Sequence, residues 1–221
     1  MNISSYSFYP IESRMYIVVE NKKALVIDPC VSKEAGAFLQ DRNINEVTIL
    51  LTHEHYDHIS GVNWLREMIE NVHVFCSEAC GQAIKKPEEN LSAYYEILFL
   101  GKSEEIREYV KSLNVEPYSC FADETFCEEK NFEWEGHSLT LKETPGHSKG
   151  SICIVMDEKV LFSGDTLVTG HDTILRLPGG SRKDFYQITV PYLKGLNSDI
   201  VVYPGHGDTQ LLCEFIRLLD D

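Results

Sequence analysis

Three histidines and one aspartate fall within six residues in the segment Thr52-His53-Glu54-His55-Tyr56-Asp57-His58. Neutral imidazole and carboxylate are the ligands that zinc takes most readily beside thiolate. Residues two apart in extended backbone point to the same side, so His53 and His55 can share one cation. Asp57 and His58 stand a turn further on and can reach a second. A solvated histidine-rich loop is the alternative, and the segment's position directly after the apolar run Val47 to Leu51 argues against it.

Three further positions share that setting. His147 lies in Thr144-Pro145-Gly146-His147-Ser148, Asp165 in Ser163-Gly164-Asp165-Thr166, and His206 in Pro204-Gly205-His206-Gly207. Each is a ligand-type residue at a strand end or tight turn, beside a glycine that lets the backbone approach closely. Singly they read equally well as turn residues, but jointly they complete two sites. Asp28, before Pro29, is a candidate to orient a ligand imidazole, with a plain turn role as the alternative. His73 is read as a packed or edge residue of a strand, His137 as solvated in a turn, and His171 as a loop residue, with a position facing the site as its alternative.

The elements that must position these residues alternate between strand and helix. Met15 to Val19 and Ala24 to Ile27, joined by Asn21 and Lys22, read as a β-hairpin. Ser32 caps a helix running to about Asp41. Val47 to Leu51 suits a strand buried on both faces, followed by a helix over about Ile59 to Glu70 and a strand from Val72 to Cys76. Residues 77–130 are helix-prone and acidic, with helical stretches near 92–100 and 103–113, and are expected to be an insertion on the core. Strands follow at 132–134, 138–141, 151–156 and 160–162, then a helix at about 183–195, a strand at 200–203 and a last helix at 209–219. Lys23 to Asp28 resembles Lys159 to Asp165, and after each a helix leads to a buried strand that ends beside a histidine. Two such halves would bring His53 and His206 together.

Composition limits the function. The chain has 221 residues, 43% hydrophobic and 25% charged, which fits one domain, residues 1–221, with a sizeable core. No apolar run reaches the ~20 residues of a membrane span, and Met1 to Pro10 lacks the basic-then-apolar pattern of a leader. The net charge of −15 repels a polyphosphate backbone, so nucleic acid is not expected as a partner. Seven cysteines with no C-x-x-C pair read as reduced thiols of a cytoplasmic protein.

The motifs Thr52 to His58, Pro145 to Ser148, Ser163 to Leu167 and Pro204 to Gly207, in this order, resemble those of the metallo-β-lactamase-fold hydrolases, most closely the glyoxalase II-like branch. The resemblance covers the chain outside residues 77–130. It implies an α/β fold, a four-layer αβ/βα sandwich with the metal site at one edge of two facing mixed sheets. It implies that His53, His55 and His147 hold one divalent cation and that Asp57, His58 and His206 hold another, with Asp165 bridging. Zinc leads among the cations, with iron and manganese as alternatives. Two such ions ~3.5–4 Å apart share a water, lower its pKa toward neutrality and direct it at the substrate, with Asp57 also orienting it as a catalytic residue. The expected activity is hydrolysis of a small-molecule thioester or ester, with a phosphodiesterase or a mononuclear iron persulfide dioxygenase as alternatives. A homo-oligomer is compatible with this reading.

The resemblance has gaps. Glyoxalase II proper carries a C-terminal helical region with basic residues that hold glutathione, which is not expected here because the chain ends fifteen residues after His206. Thr173-Ile174-Leu175-Arg176 replaces the Gly-Arg-x-Asp seen in small members of the family. Arg176 could pair with a carboxylate or be an exposed loop residue.

Overall fold

The computed structural model describes residues 2–9 and 11–219, so Met1 and Pro10, the two ends of the segment read for a leader, lie outside it. In chain order its elements are β1 (Ile3–Phe8), β2 (Ser13–Glu20), β3 (Lys23–Ile27), α1 (Lys33–Asp41), β4 (Glu46–Leu50), α2 (Tyr56–Ile59) and α3 (Val62–Met68). Next come β5 (Asn71–Ser77), α4 (Glu78–Ala83), a 3₁₀ turn (Ser92–Tyr94), α5 (Tyr95–Leu98), α6 (Glu104–Ser112), β6 (Glu124–Phe126), β7 (Glu129–Trp134) and β8 (His137–Glu143). Then follow β9 (Ile152–Met156), β10 (Val160–Gly164), α7 (Arg182–Asp184), a π-helical turn (Phe185–Thr189), α8 (Val190–Gly195), β11 (Val201–Pro204), β12 (Gln210–Leu211) and α9 (Leu212–Leu219).

The strands form two mixed six-stranded sheets, ordered β1-β2-β3-β4-β5-β6 and β12-β11-β10-β9-β8-β7. The period of two along each strand decides which face meets which layer. In β3, Leu25 and Ile27 join Tyr16, Val18, Ile154, Met156 and Phe162 in the core between the sheets. Ala24 and Val26 point the other way, with Val47 and Ile49, onto Ala35, Leu39, Val62 and Leu65 of the covering helices. Cys153, Leu161 and Val202 meet Leu193, Leu212 and Phe215 on the outer face of the second sheet. This is the α/β four-layer arrangement expected from the sequence.

The hairpin is present, with Val19 opposite Ala24 and Glu20 opposite Lys23. Asn21 and Lys22 both take left-handed backbone, at φ 48° and 64°, as a two-residue hairpin turn requires. Ser32 caps α1 by accepting from the Ala35 amide. The internal repeat is a real structural unit: β3 pairs in parallel with β4 across α1, and β10 pairs in parallel with β11 across α7 and α8.

Several expectations need correction. The helix expected over 59–70 is split into α2 and α3, because the Gly61 amide bonds Pro29 O at 2.8 Å and the Asp57 carbonyl accepts from Ser13 Oγ at 3.2 Å. The helix expected at 183–195 contains the π-helical turn, and residues 210–211 pair with β11 instead of opening the last helix. Residues 77–130 are not helical throughout, since β6 lies at the edge of the first sheet, parallel to β5. His137 is not freely solvated: its Nδ1 donates to Asp157 Oδ2 at 2.7 Å. Among the described residues no helix is long and apolar enough to cross a membrane.

Candidate metal centre

Every residue singled out for metal chemistry emerges from a strand end on one edge of the facing sheets. His53 to His58 follow β4, His147 lies between β8 and β9, Asp165 follows β10, and His206 follows β11. Ring centroids of His53 and His55 are 4.7 Å apart, and those of His53 and His147 are 5.0 Å apart. The Nδ1 of His55 faces Nε2 of His147 at 3.0 Å. On the other side, His58 Nε2 lies 3.2 Å from Asp57 Oδ2 and 3.4 Å from His206 Nε2. Asp165 stands between the two groups: Oδ1 is 3.3 Å from His58 Nε2, and Oδ2 is 3.5 Å from both His147 Nε2 and His206 Nε2. His53 and His206 meet through His58, whose ring centroid is 4.3 Å from that of His53 and 5.3 Å from that of His206.

The outer hydrogen bonds fix the ring tautomers. Thr52 Oγ1 donates to Asp28 Oδ2 at 2.5 Å, so its lone pair accepts from His53 Nδ1 at 3.0 Å. His58 Nδ1 donates to the same Asp28 oxygen at 3.0 Å. His147 Nδ1 donates to Ile174 O at 2.9 Å, and His206 Nδ1 donates to Ile11 O at 2.8 Å. In each case the proton sits on Nδ1, which leaves the Nε2 lone pair turned inward. Asp28 is therefore more than a turn residue. It is buried, takes left-handed backbone at φ 52°, and ties the Thr52 amide at 2.7 Å to both histidine groups.

Local packing places the remaining parts. Gly146 has φ 154°, and a Cβ there would lie 2.7 Å from Phe185 of the π-helical turn. Thr189 Oγ1 of the same turn donates to Pro145 O at 2.7 Å, and the Ser181 amide bonds Gly146 O at 2.8 Å. The irregular helix thus clamps the loop that carries His147. The Tyr56 amide, between two of the candidate ligands, bonds Asn90 O at 2.9 Å. Asn90 is itself buried and donates to Tyr118 O at 2.8 Å.

The electrostatics divide the cluster in two. Burial holds His53 and His55 well toward the neutral form, His55 with a pKa of about 3, and neighbouring histidines add to the effect. Burial also lowers the pKa of His147. Burial opposes charge on His58 and His206 as well, yet the adjacent Asp57 and Asp165 carboxylates raise both. Burial would raise those two carboxyls, and the neighbouring His58 and His206 instead keep them far below the usual carboxylate range.

This donor set fits divalent cations. The Nε2 atoms of His53 and His55 and Oδ1 of Asp165 are buried with no hydrogen-bond partner, and a buried polar group left in that state costs about 1–3 kcal/mol. Two groups of potential ligand atoms are compact enough for one ion each, His53/His55/His147 and Asp57/His58/His206. A third, Asp28/His53/His58, is also compact, but the Asp28 oxygens are engaged by Thr52 and His58. None of the cysteines joins such a group among the described residues, and all seven are free thiols.

Asp28→Asn tests the outer bonds. The amide can donate where the carboxylate accepted from His58 and Thr52, so affinity for divalent cations is expected to fall about 10- to 100-fold. Competition with a fluorescent chelator measures it.

His55, Asp57, His147, Asp165 and His206 line a cavity of about 650 Å³, together with Tyr95, Phe99, Ile174 and Leu177. The sequence reading had no signal for the carbonyls of Ile11 and Ile174 as imidazole acceptors, or for Asn90 and Tyr95. His171 lines the cavity but belongs to no ligand group. His73 is a half-exposed strand residue, and Arg176 is exposed and outside the cavity lining.

Comparisons with known proteins agree with this geometry. The family model described as metallo-beta-lactamase superfamily matches residues 9–206. A Streptococcus pyogenes serotype M6 protein named "Probable metallo-hydrolase" is 29% identical over 90% of this chain and 80% of its own. The hydroxyacylglutathione hydrolase of Glaesserella parasuis serovar 5 is 26% identical over 92% of this chain and 69% of its own. Among solved structures, the B3 metallo-beta-lactamase BLEG-1 superposes with a TM-score of 0.74 at 25% identity, covering 96% of this chain and 95% of that one. TTHA1623 in a di-iron-bound form shares the fold, with a TM-score of 0.72 at 23% identity over 95% of each chain. With two facing mixed sheets, histidine and aspartate at their shared edge and a family match over nearly the whole length, the chain belongs to the metallo-β-lactamase superfamily of metallo-hydrolases.

Proposed function

We propose that the chain hydrolyses a small thioester or ester with two divalent cations. One is held by His53, His55 and His147, the other by Asp57, His58 and His206, with Asp165 between them. The observation that carries this reading is the set of converging donor atoms, of which His53 Nε2 and Asp165 Oδ1 are buried with no hydrogen-bond partner, beside an open cavity. Cations bound there supply Lewis acidity, lowering the pKa of a bound water toward neutrality and polarising the substrate oxygen. The protein's own work is to hold these donors rigid. Asp28 and the carbonyls of Ile11 and Ile174 keep four imidazoles in one tautomer. Asp57, on the cavity floor, can accept a hydrogen bond from the attacking water and orient it.

The likeness to hydroxyacylglutathione hydrolases supports the thioester, and the di-iron form of TTHA1623 keeps iron beside zinc as a candidate metal. A complete second ligand set favours hydrolysis over an oxygenase with one iron. Lys102 is the one Lys or Arg among the described residues lining the cavity, and with a net charge of −15 this disfavours a nucleic-acid substrate. The partner this site suits is a small molecule, and the free thiols suit a reducing compartment such as the cytoplasm.

A panel of thioesters, carboxylic esters, lactones and bis(p-nitrophenyl) phosphate, assayed with zinc, manganese or iron, tests the reading. Chelator-sensitive cleavage of a thioester or ester is the expected result. Preferential cleavage of the phosphodiester, or oxygen uptake with one iron per chain, would overturn it.

A further inference from the structure

We propose that residues 91–106 build a subsite for an apolar arm of the substrate, with the Tyr95 hydroxyl as its buried hydrogen-bond donor. The inference rests on the hydrolase reading for the chemistry at the cavity floor, but its evidence lies in the wall above. Leu91, Tyr95, Leu98, Phe99 and Ile106 all line the cavity, facing a floor of histidine and aspartate. A volume of about 650 Å³ exceeds what a reacting acetyl-sized group needs and lies within the range of ligand pockets.

The wall is built for a purpose that packing alone does not supply. Leu98 and Ile174 both line the cavity and are 39% and 48% exposed, and an apolar ligand arm would remove part of that surface from water. Leu91 is a bulky residue in left-handed backbone, at φ 67°, yet its side chain is buried in the wall. The Ser92 amide bonding Asn90 Oδ1 at 3.0 Å, and Asn90 bonding Tyr118 O, hold that turn. Tyr95 is 3% exposed, its ring is edge-on to Tyr56 at a centroid distance of 5.0 Å, and its hydroxyl has no hydrogen-bond partner. Buried tyrosine hydroxyls usually find one. The phenol is a donor at neutral pH, so it suits a carbonyl or ether oxygen on the arm. Lys102 is the single Lys or Arg of the described lining, which is a poor match to a leaving group carrying several carboxylates.

The test uses metal-loaded protein and acyl thioesters of one small neutral thiol. kcat/KM is expected to rise about fourfold per methylene, and so about 250-fold from acetyl to hexanoyl, with S-lactoylglutathione turned over less well than the hexanoyl ester. Phe99→Ala is expected to flatten this slope. Tyr95→Phe is expected to keep the slope for these plain acyl chains and to lower kcat/KM about fivefold only for an ester whose arm carries an ether oxygen, such as 4-oxahexanoyl. A second readout needs no catalysis: titrating the protein with hexanamide should shift the NMR methyl signals of Leu91, Leu98 and Ile106, and acetamide should not. A flat chain-length profile, or hexanamide leaving those methyls unmoved, overturns the subsite. Methyl shifts in a protein that cleaves no thioester or ester would overturn the hydrolase reading and leave the subsite standing.

Discussion

His55→Ala is expected to cut hydrolysis about 10³-fold or more and to reduce bound metal from about two ions per chain to one or none. The imidazole supplies one of only three nitrogens at its candidate site, and its Nδ1 lies 3.0 Å from His147 Nε2. Without it, His147 Nε2 and His53 Nε2 face a hole lined with polar atoms, and two neutral imidazoles hold zinc far more weakly than a full set. A loss of 10³-fold corresponds to about 4 kcal/mol of transition-state stabilisation, within what a Lewis-acid centre provides. Extraction with a chelator should mimic the variant, and adding back a divalent ion should rescue only the wild type. Stability should fall in parallel, because a ligand present at 100 to 1,000 times its Kd contributes about 3–4 kcal/mol. Turnover by metal-free protein at the wild-type rate would end the mechanism; kcat/KM, elemental analysis and Tm read the three effects.

The second large effect is expected from Gly205→Ala, a change of one methyl group that touches no substrate. A Cβ at this position would lie 2.9 Å from the Gly164 carbonyl carbon and 2.9 Å from His58 Cε1, and would also collide with an Asp165 carboxylate oxygen. The first neighbour is backbone, tied to Gly205 by the Gly205 N to Gly164 O bond at 2.8 Å, so it cannot swing aside. The other two are candidate ligands from different strand ends. Overpacking of this kind costs about 1–3 kcal/mol, roughly 2–4 °C of Tm per kcal/mol in a chain of this size. Displacing His58 and Asp165 should cost more in function than in stability. Loss of the second metal equivalent with a Tm drop of about 5 °C is the expected pattern. An alanine variant that keeps two ions and full activity would show that the β11 turn does not position the site.

Much of the centre was legible because its chemistry is local. The His-x-His-x-Asp-His run carries its ligands at a spacing that needs no tertiary information, and the apolar strand before it says that the run is held in place. The faint likeness of Lys23–Asp28 to Lys159–Asp165 likewise foretold that the strand ends carrying His53 and His206 share one edge, which the parallel pairs β3 with β4 and β10 with β11 bring about. The helix boundaries near the site were less legible. Ser60-Gly61 is only a weak local break signal, and what fixes the break is the Gly61 amide taken by Pro29 O, which only the folded chain brings near.

Sequence by itself therefore determined the types of the candidate ligands, their order along the chain and the alternation of strand and helix, since these follow from side-chain chemistry and from periods of two and 3.6 residues. Tertiary structure alone decided which nitrogen of each imidazole turns inward, because that depends on acceptors such as Ile11 O, at 195 residues' separation from His206. It also decided what lines the cavity beside the candidate ligands. The wall from Leu91 to Ile106 is a helix-prone, acidic stretch by composition, and it becomes one side of a cavity only where Asn90 ties it to Tyr56, beside the ligands.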